Sequence, residues 1–506
     1  MNKSNINIKV KSKMKLAKLV IVTTVLMLSA SIATAQTRLT LERAMEIALQ
    51  NSPDIRKSRL NMEQNKEYLN AQLAALKSRF SFEVTPFSYS KTDTYNDYFS
   101  EWYTSENKGA SGSLTVSQPV KFSDGTLILR NNFGYQDNFS ESNNNNYKGY
   151  NNNLYLQYTQ PLFTYNRTKM NLKKNQLNLE NATLAYSIEM LNLERLVNQA
   201  FYSIYQKQMA YEIAKEEYEN QKVSKDIIES KVEGDLSARE ELYQAELNLA
   251  TSKSNLDNSL VSLENAEDQF KQLIGMSLYE DVEVITNIEY TPVVVDLDKA
   301  IENGLAQRLE LVQRQINLDN AQFNLIETSS TNEFRGNLTL SVGIIGNNEK
   351  LSNVYDRPTK SPQVGLTFSV PIFDWGERRA RIRAAELEIE TREIDKKSLE
   401  DDIIINIRQV YRNLNNLITR IEIAEQNEKN AQLTYDINLE RYRNGDLTSI
   451  DLERYQNQLS SKKMEMSNAL IDYKLELLNL KIQSLWDFEN NTSFVPQNLQ
   501  NNIINQ

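Results

Sequence analysis

The sequence predicts a mainly helical fold with β-strands, built as two copies of one repeat, and three observations predict it. Short segments alternate apolar and polar residues at a period of two; long stretches almost free of proline and glycine follow them; and the whole order occurs twice along 506 residues.

The N-terminus comes first. Lys9, Lys11, Lys13, Lys15 and Lys18 precede the apolar run from Leu19 to Leu28, which ends in small residues and Ala33-Thr34-Ala35. A basic region, a short apolar region and a small-residue end are the parts of a cleavable secretory signal, so residues 1–35 are read as signal peptide with a mature start near Gln36. The run is short for a membrane span. Position 36 is not cysteine, so no lipid anchor is indicated. A single uncleaved anchor helix is the other reading.

The alternating segments follow. Leu338, Leu340, Val342 and Ile344 interleave with Asn337, Thr339, Ser341 and Gly343; Val364, Leu366, Phe368 and Val370 interleave with Gln363, Gly365, Thr367 and Ser369. Leu154, Leu156 and Tyr158 repeat the pattern, and Phe80, Phe82 and Val84 do so more weakly, with Tyr89, Trp102, Tyr155 and Phe163 near the ends. One apolar and one polar face, bordered by aromatics, suits a lipid-facing barrel wall. The same alternation also fits a soluble sheet packed on a core.

Helical segments are expected over roughly 40–78, 167–232, 235–273, 296–328, 377–443 and 447–487. From Leu242, the positions Ala245, Leu249, Ser252, Leu256, Ser259, Leu263, Ala266, Phe270 and Leu273 follow steps of three and four, a coiled-coil seam of alternating large and small residues. After Leu447 the seam is poorer, because Lys462 and Glu476 fall on it. A helix of about 65 residues spans on the order of 100 Å. Only other long helices can cover it.

Duplication ties these pieces together. Leu41, Ala44, Leu49, Asp54 and Ile55 match Leu297, Ala300, Leu305, Glu310 and Leu311 at an offset of 256. Pro161-Leu162-Phe163 then matches Pro371-Ile372-Phe373 at 210, and Gly234-Asp235-Leu236 matches Gly445-Asp446-Leu447 at 211. The first repeat therefore carries about 46 extra residues, 256 minus 210, where two strand-like runs, 112–120 and 126–138, flank the turn Ser123-Asp124-Gly125. The asparagine-rich stretch 143–153 reads as an exposed loop. The expected layout is signal 1–35, first repeat 36–290, second repeat 291–488 and a polar tail 489–506. Each repeat is helix, strands, long helix, glycine break, long helix.

Composition closes several functional doors. With no histidine and no cysteine, the chain cannot build His-based acid–base catalysis, a Cys nucleophile, a Cys/His zinc site or a disulfide. A formal charge of −10 argues against nucleic-acid binding, and the 14 glycines form no phosphate-cradling loop. Only carboxylate chemistry stays open, and no local feature pairs two acids. The expectation is a non-enzyme without cofactor or metal.

Signal, duplication, strand pairs, helix lengths, Pro371-Ile372-Phe373-Asp374-Trp375-Gly376 and the breaks at Gly234 and Gly445 together resemble the TolC outer-membrane efflux protein family over about 38–488. The resemblance implies a homotrimer in the outer membrane. Each copy would give four strands to a membrane barrel in lipid and long helices to a coiled-coil periplasmic tunnel, and the extra hairpin 112–138 would either enlarge the barrel wall or lie outside it as a plug or collar. The tunnel would dock on a periplasmic adaptor (membrane fusion) protein and an inner-membrane pump as the exit duct of a tripartite efflux or type I secretion system. Physics agrees on oligomerisation, since four strands cannot close a pore.

The glycine breaks place a residue able to take φ > 0 beside a polar helix-start residue, which suits a tight helix hairpin. The resemblance makes these turns the periplasmic tips, with Gly234, Asp235, Leu236, Gly445, Asp446 and Leu447 as adaptor contacts. Counting from each glycine, it also implies a constriction: Glu240 as a tether, Tyr442 as its partner, and Asp451 as one ring carboxylate. The second ring position is Arg454 here, and the family's gating arginine is Leu447. Asp451 is equally a carboxylate placed to favour a helix start. The rival reading from another class is a secreted coiled-coil structural or adhesive surface protein.

Overall fold

A computed structural model describes residues 37–141, 145–235, 238–280, 282–285, 290–443 and 446–496. The signal segment, most of the C-terminal tail, Leu236 and Gly445 lie outside the described residues. In chain order the elements are β1 (Thr37–Leu39), α1 (Leu41–Asn51), α2 (Pro53–Ala75), β2 (Arg79–Asn96), β3 (Glu101–Val120), β4 (Gly125–Ser140), β5 (Asn145–Leu162), α3 (Arg167–Glu233), α4 (Arg239–Ile274), β6 (Val282–Val284), α5 (Leu297–Gln307), α6 (Leu309–Ser329), β7 (Arg335–Asn348), β8 (Thr359–Ser369), α7 (Glu377–Arg443), α8 (Ser449–Ser484), β9 (Trp486–Asp487) and β10 (Thr492–Ser493). No described helix is long and apolar enough to cross a membrane.

Helix lengths repeat. At the 256 offset α1 and α5 are 11 residues each, and their buried small residues Ala44 and Ala48 correspond to Ala300 and Gly304. At 210, α3 and α7 are 67 residues each, and α4 and α8 are 36 each. Two single helices expected over 40–78 and 296–328 are each broken. Pro53 stands just after the first break: it starts α2, where its missing N–H costs nothing, and it suits the extended ψ of 129° at Ser52. The second falls at the equivalent Arg308, ψ 120°, with no proline.

Contacts group the chain into two compact units. One comprises residues up to Lys57, Glu189–Gly304 and Ile405 onward. Its core holds Leu39, Phe201, Ile204, Phe270, Ile274 and Tyr473, all almost fully buried. Phe201 and Phe270 meet edge-on at 6.2 Å. Tyr473 satisfies its buried hydroxyl on backbone, accepting from Val293 N at 3.0 Å and donating to Thr291 O at 3.2 Å. Beside this core β1 pairs in parallel with β6. At the end of α4, Gly275 takes φ 73°, and a Cβ there would stand 2.3 Å from Asn51 O, so only glycine fits. Every position of the α4 seam from Leu242 to Leu273 is buried or half-buried.

The other unit, Ser58–Ile188 and Leu305–Ile404, holds one six-stranded antiparallel sheet in the order β2-β3-β4-β5-β7-β8. The sheet has six strands where the family resemblance alone implies four, because the extra runs form β3 and β4 inside it. The strands are also longer than expected. Residues 145–153, expected as loop, belong to β5, because Asn151, Asn152 and Asn153 pair with Gly134, Phe133 and Asn132 on one side and with β7 on the other. Asparagine's weak strand preference yields to pairing on both edges.

The turn between β3 and β4 reaches α3. Asp124 takes φ 61° and accepts from the first free amides of the helix, Arg167 N at 3.2 Å and Thr168 N at 2.9 Å. In the second repeat Asp374 does this locally for α7, accepting from Gly376 N at 3.0 Å and Arg378 N at 3.1 Å. Those backbone donors, Arg378 first, hold its carboxyl below the usual range.

Candidate functional site: the helix-hairpin tips

The tips lie within the first unit. At the α3–α4 turn, Gly234 N donates to Ser230 O and Asp235 N to Val232 O, each at 3.1 Å, closing the last turn of α3. The left-handed residue is Asp235, φ 57°, rather than Gly234. Aspartate tolerates this conformation because its short polar side chain bonds locally. Leu236 lies outside the described residues. At the α7–α8 turn Gly445 lies outside them too, while Asp446 N donates back to Arg441 O at 2.9 Å.

Helix starts differ between the two turns. Ala238 precedes α4 without a side-chain cap, and Glu240 and Glu241 occupy the first turn, where carboxylates offset the positive helix end. Thr448 caps α8: its hydroxyl accepts from Asp451 N at 3.2 Å and donates to Asp451 Oδ2 at 2.7 Å. Asp451 thus has its carboxylate engaged on its own helix start. Arg454 stands 5.8 Å from the Tyr455 ring.

Between the four helices at this end is a cavity of about 580 Å³, and Glu240, Tyr442 and Leu447 share its wall. Asp451 and Arg454 do not line it. Sequence counting missed Glu453, which does. Asn248 Nδ2 on α4 donates to Glu453 Oε2 on α8 at 3.1 Å, bridging the two repeats. Nearby, burial pushes the Glu217 carboxyl up, and the charge of Glu453 adds to the shift. Nothing in the seam periodicity marks Asn248 or Glu453. A polar pair flanking a seam in both repeats is the signal that would find them. Val223 and Ile450 in the cavity lining are more than half exposed, as are Tyr243 and Leu247 on α4, which do not line it. Among the described residues no cluster of acidic side chains is arranged to hold a metal ion.

The second unit supplies the other functional surface. Following hydrogen-bonded neighbours across the sheet, Phe80, Val116, Leu129, Leu156, Val342 and Pro362 stand on one face. One residue along each strand, the opposite face carries Ser81, Thr115, Arg130, Tyr155, Gly343 and Ser361. The apolar face is open, with Phe80 and Phe82 71% exposed and Val364 78%. A soluble sheet would cover such a face.

Known proteins match both the sequence and the fold. Residues 335–482 match the model of the outer membrane efflux protein family. The outer membrane protein TolC of Escherichia coli (strain K12) is 24% identical over 244 residues, 46% of this chain and 48% of the relative; the match thus spans about half the length of the curated relative. The Campylobacter jejuni CmeC outer membrane channel superimposes with a TM-score of 0.69 at 16% identity, covering 92% of this chain and 88% of that one. The Neisseria gonorrhoeae MtrE outer membrane channel gives 0.62 at 14% identity, with 88% of each chain covered.

Proposed function

For an outer-membrane protein of TolC-like fold, we propose that this chain is the passive exit duct of a tripartite efflux or type I secretion system. Three copies close a barrel in the lipid and a helical tunnel in the periplasm. A periplasmic adaptor and an inner-membrane pump bind at the helix tips. The observation that carries this reading is the apolar line Phe80–Val116–Leu129–Leu156–Val342–Pro362, which crosses all six strands on one face with polar residues on the other, the alternation a lipid-facing wall requires. The open edges of the sheet at β2 and β8 support further copies, since an unpaired strand edge is not tolerated in hydrocarbon.

At the tips, Gly234, Asp235, Leu236, Gly445, Asp446 and Leu447 contact the adaptor, and the exposed apolar side chains around the cavity are covered by the assembled partners. Glu240 and Tyr442, on one cavity wall, hold the constriction closed. Asp451 and Arg454 flank it with opposite charges, Asp451 also serving its helix start.

Fractionation and mass measurement test the duct. After carbonate washing the protein is expected to stay with outer membranes, and native mass spectrometry in detergent is expected to give three copies. A soluble, monodisperse monomer with its strands folded would overturn the reading in favour of a secreted coiled-coil protein.

A further inference from the structure

The 46 residues by which the first repeat exceeds the second, 256 minus 210, form β3 and β4. Each is hydrogen-bonded along its length on both sides, β3 to β2 and β4, and β4 to β3 and β5. A plug or a collar would have left β2 paired with β5. Through the insert the paired line Phe80–Val116–Leu129 is apolar on all three strands, and the next, Phe82–Leu114, is apolar as far as β3 and meets Asn131 on β4. The polar face is continuous, and within the insert it is cross-linked. Arg130 donates from Nε to Asn132 Oδ1 at 2.9 Å and from Nη2 to Ser113 Oγ at 3.5 Å.

The sheet is also staggered as a closing wall must be. The line of paired residues that begins at Phe80, one residue into β2, meets β8 at Pro362, six positions from the Phe368 that opens the apolar face at that end. Six residues rise about 20 Å while five strand spacings cover about 24 Å. The resulting tilt is roughly 40°, within the range at which barrels close. Because six is even, β8 of one copy runs antiparallel to β2 of the next. β8 has 11 residues and β2 has 18. The seven residues of β2 beyond that match, Ser90–Asn96, include Lys91 and Asp93, charged residues of the kind that guard an open edge.

We propose that β3 and β4 are built into the pore wall, so that each copy contributes six strands and three copies close an eighteen-stranded barrel rather than one of twelve. This rests on the trimeric duct proposed above. Barrels of about 16–18 strands enclose an aqueous channel, so the insert widens the outer exit. Its lumen side carries Ser113, Thr115, Asn132 and the tethered Arg130, a surface for hydrophilic cargo.

The chain has no cysteine, so single thiols report orientation directly. Ser113→Cys and Asn132→Cys test the lumen side; Leu114→Cys and Leu129→Cys test the lipid side, on two strands so that one misfolded variant does not decide the result. In proteoliposomes a charged, water-soluble maleimide is expected to modify the first pair and a lipid-soluble pyrene maleimide the second, in a complex of three copies by native mass spectrometry. Reaction of all four with the water-soluble reagent in an intact trimer would overturn the eighteen-strand wall and leave the duct standing. A folded monomer would overturn the duct itself.

Discussion

Single residues carry two consequences. Glu194, on α3, is half-buried, and the loss of water around it pushes its carboxyl up to about 6 against the pull of Lys481; Lys481 is itself held by Asp487 at 3.2 Å and Glu489 at 2.7 Å. A carboxyl with a folded pKa above its unfolded value of roughly 4.3 binds its proton more tightly when folded. Its penalty is absent below about pH 4.3 and complete above about pH 6, where it reaches about 2 kcal/mol. Glu194→Gln is therefore expected to raise the unfolding midpoint at pH 7.5 and flatten the slope between pH 4.5 and 6.5; equal loss of stability at pH 5 and 7.5 would contradict this. Asp124 tests the joint between strand turn and helix. Asp124→Ala removes two capping bonds and places a poorer residue at φ 61°, for an expected loss of about 1–2 kcal/mol in urea unfolding. Asp124→Asn keeps an acceptor and the left-handed tolerance and should lose less.

At the scale of elements, periodicity and duplication made the fold legible: the α4 seam, both 67-residue helices and the inner parts of the strands were readable from spacing alone. What was not legible depended on neighbours. The outer half of β5 is a run of asparagines whose strand conformation comes from β4 and β7, and the six-strand sheet follows from pairing that no local pattern states. The left-handed turn at Asp235 was readable as a turn but not as to which residue would take it. The helix breaks at Ser52 and Arg308 show why a proline is not always the cause it seems. Arg308 breaks at the equivalent place without one, its Nε donating to Glu310 Oε2 at 2.8 Å. Packing around the junction sets both breaks, so Pro53→Ala is expected to keep the α1–α2 break, with unchanged helical circular dichroism and a midpoint shift within about 1 kcal/mol. A gain in helicity would show that the proline alone makes it.

For the whole molecule, two unlike surfaces have to be explained together: a sheet with an exposed apolar face and open edges, and helix hairpins whose tips surround an acid-lined cavity with exposed apolar side chains. A lone chain leaves all of them uncovered. Glu240 and Tyr442 enter the proposed constriction through the family resemblance, by counting from the glycines, whereas the Asn248–Glu453 bridge across the repeats was not legible, because it joins residues 205 apart in sequence. The most direct test of the duct is single-channel recording of the purified assembly in planar bilayers, alongside Glu240→Ala/Tyr442→Phe. The expected result is discrete, long-lived conductance steps that grow in the double variant as the constriction loosens. Properly folded trimers of both proteins that insert and pass no current would contradict it.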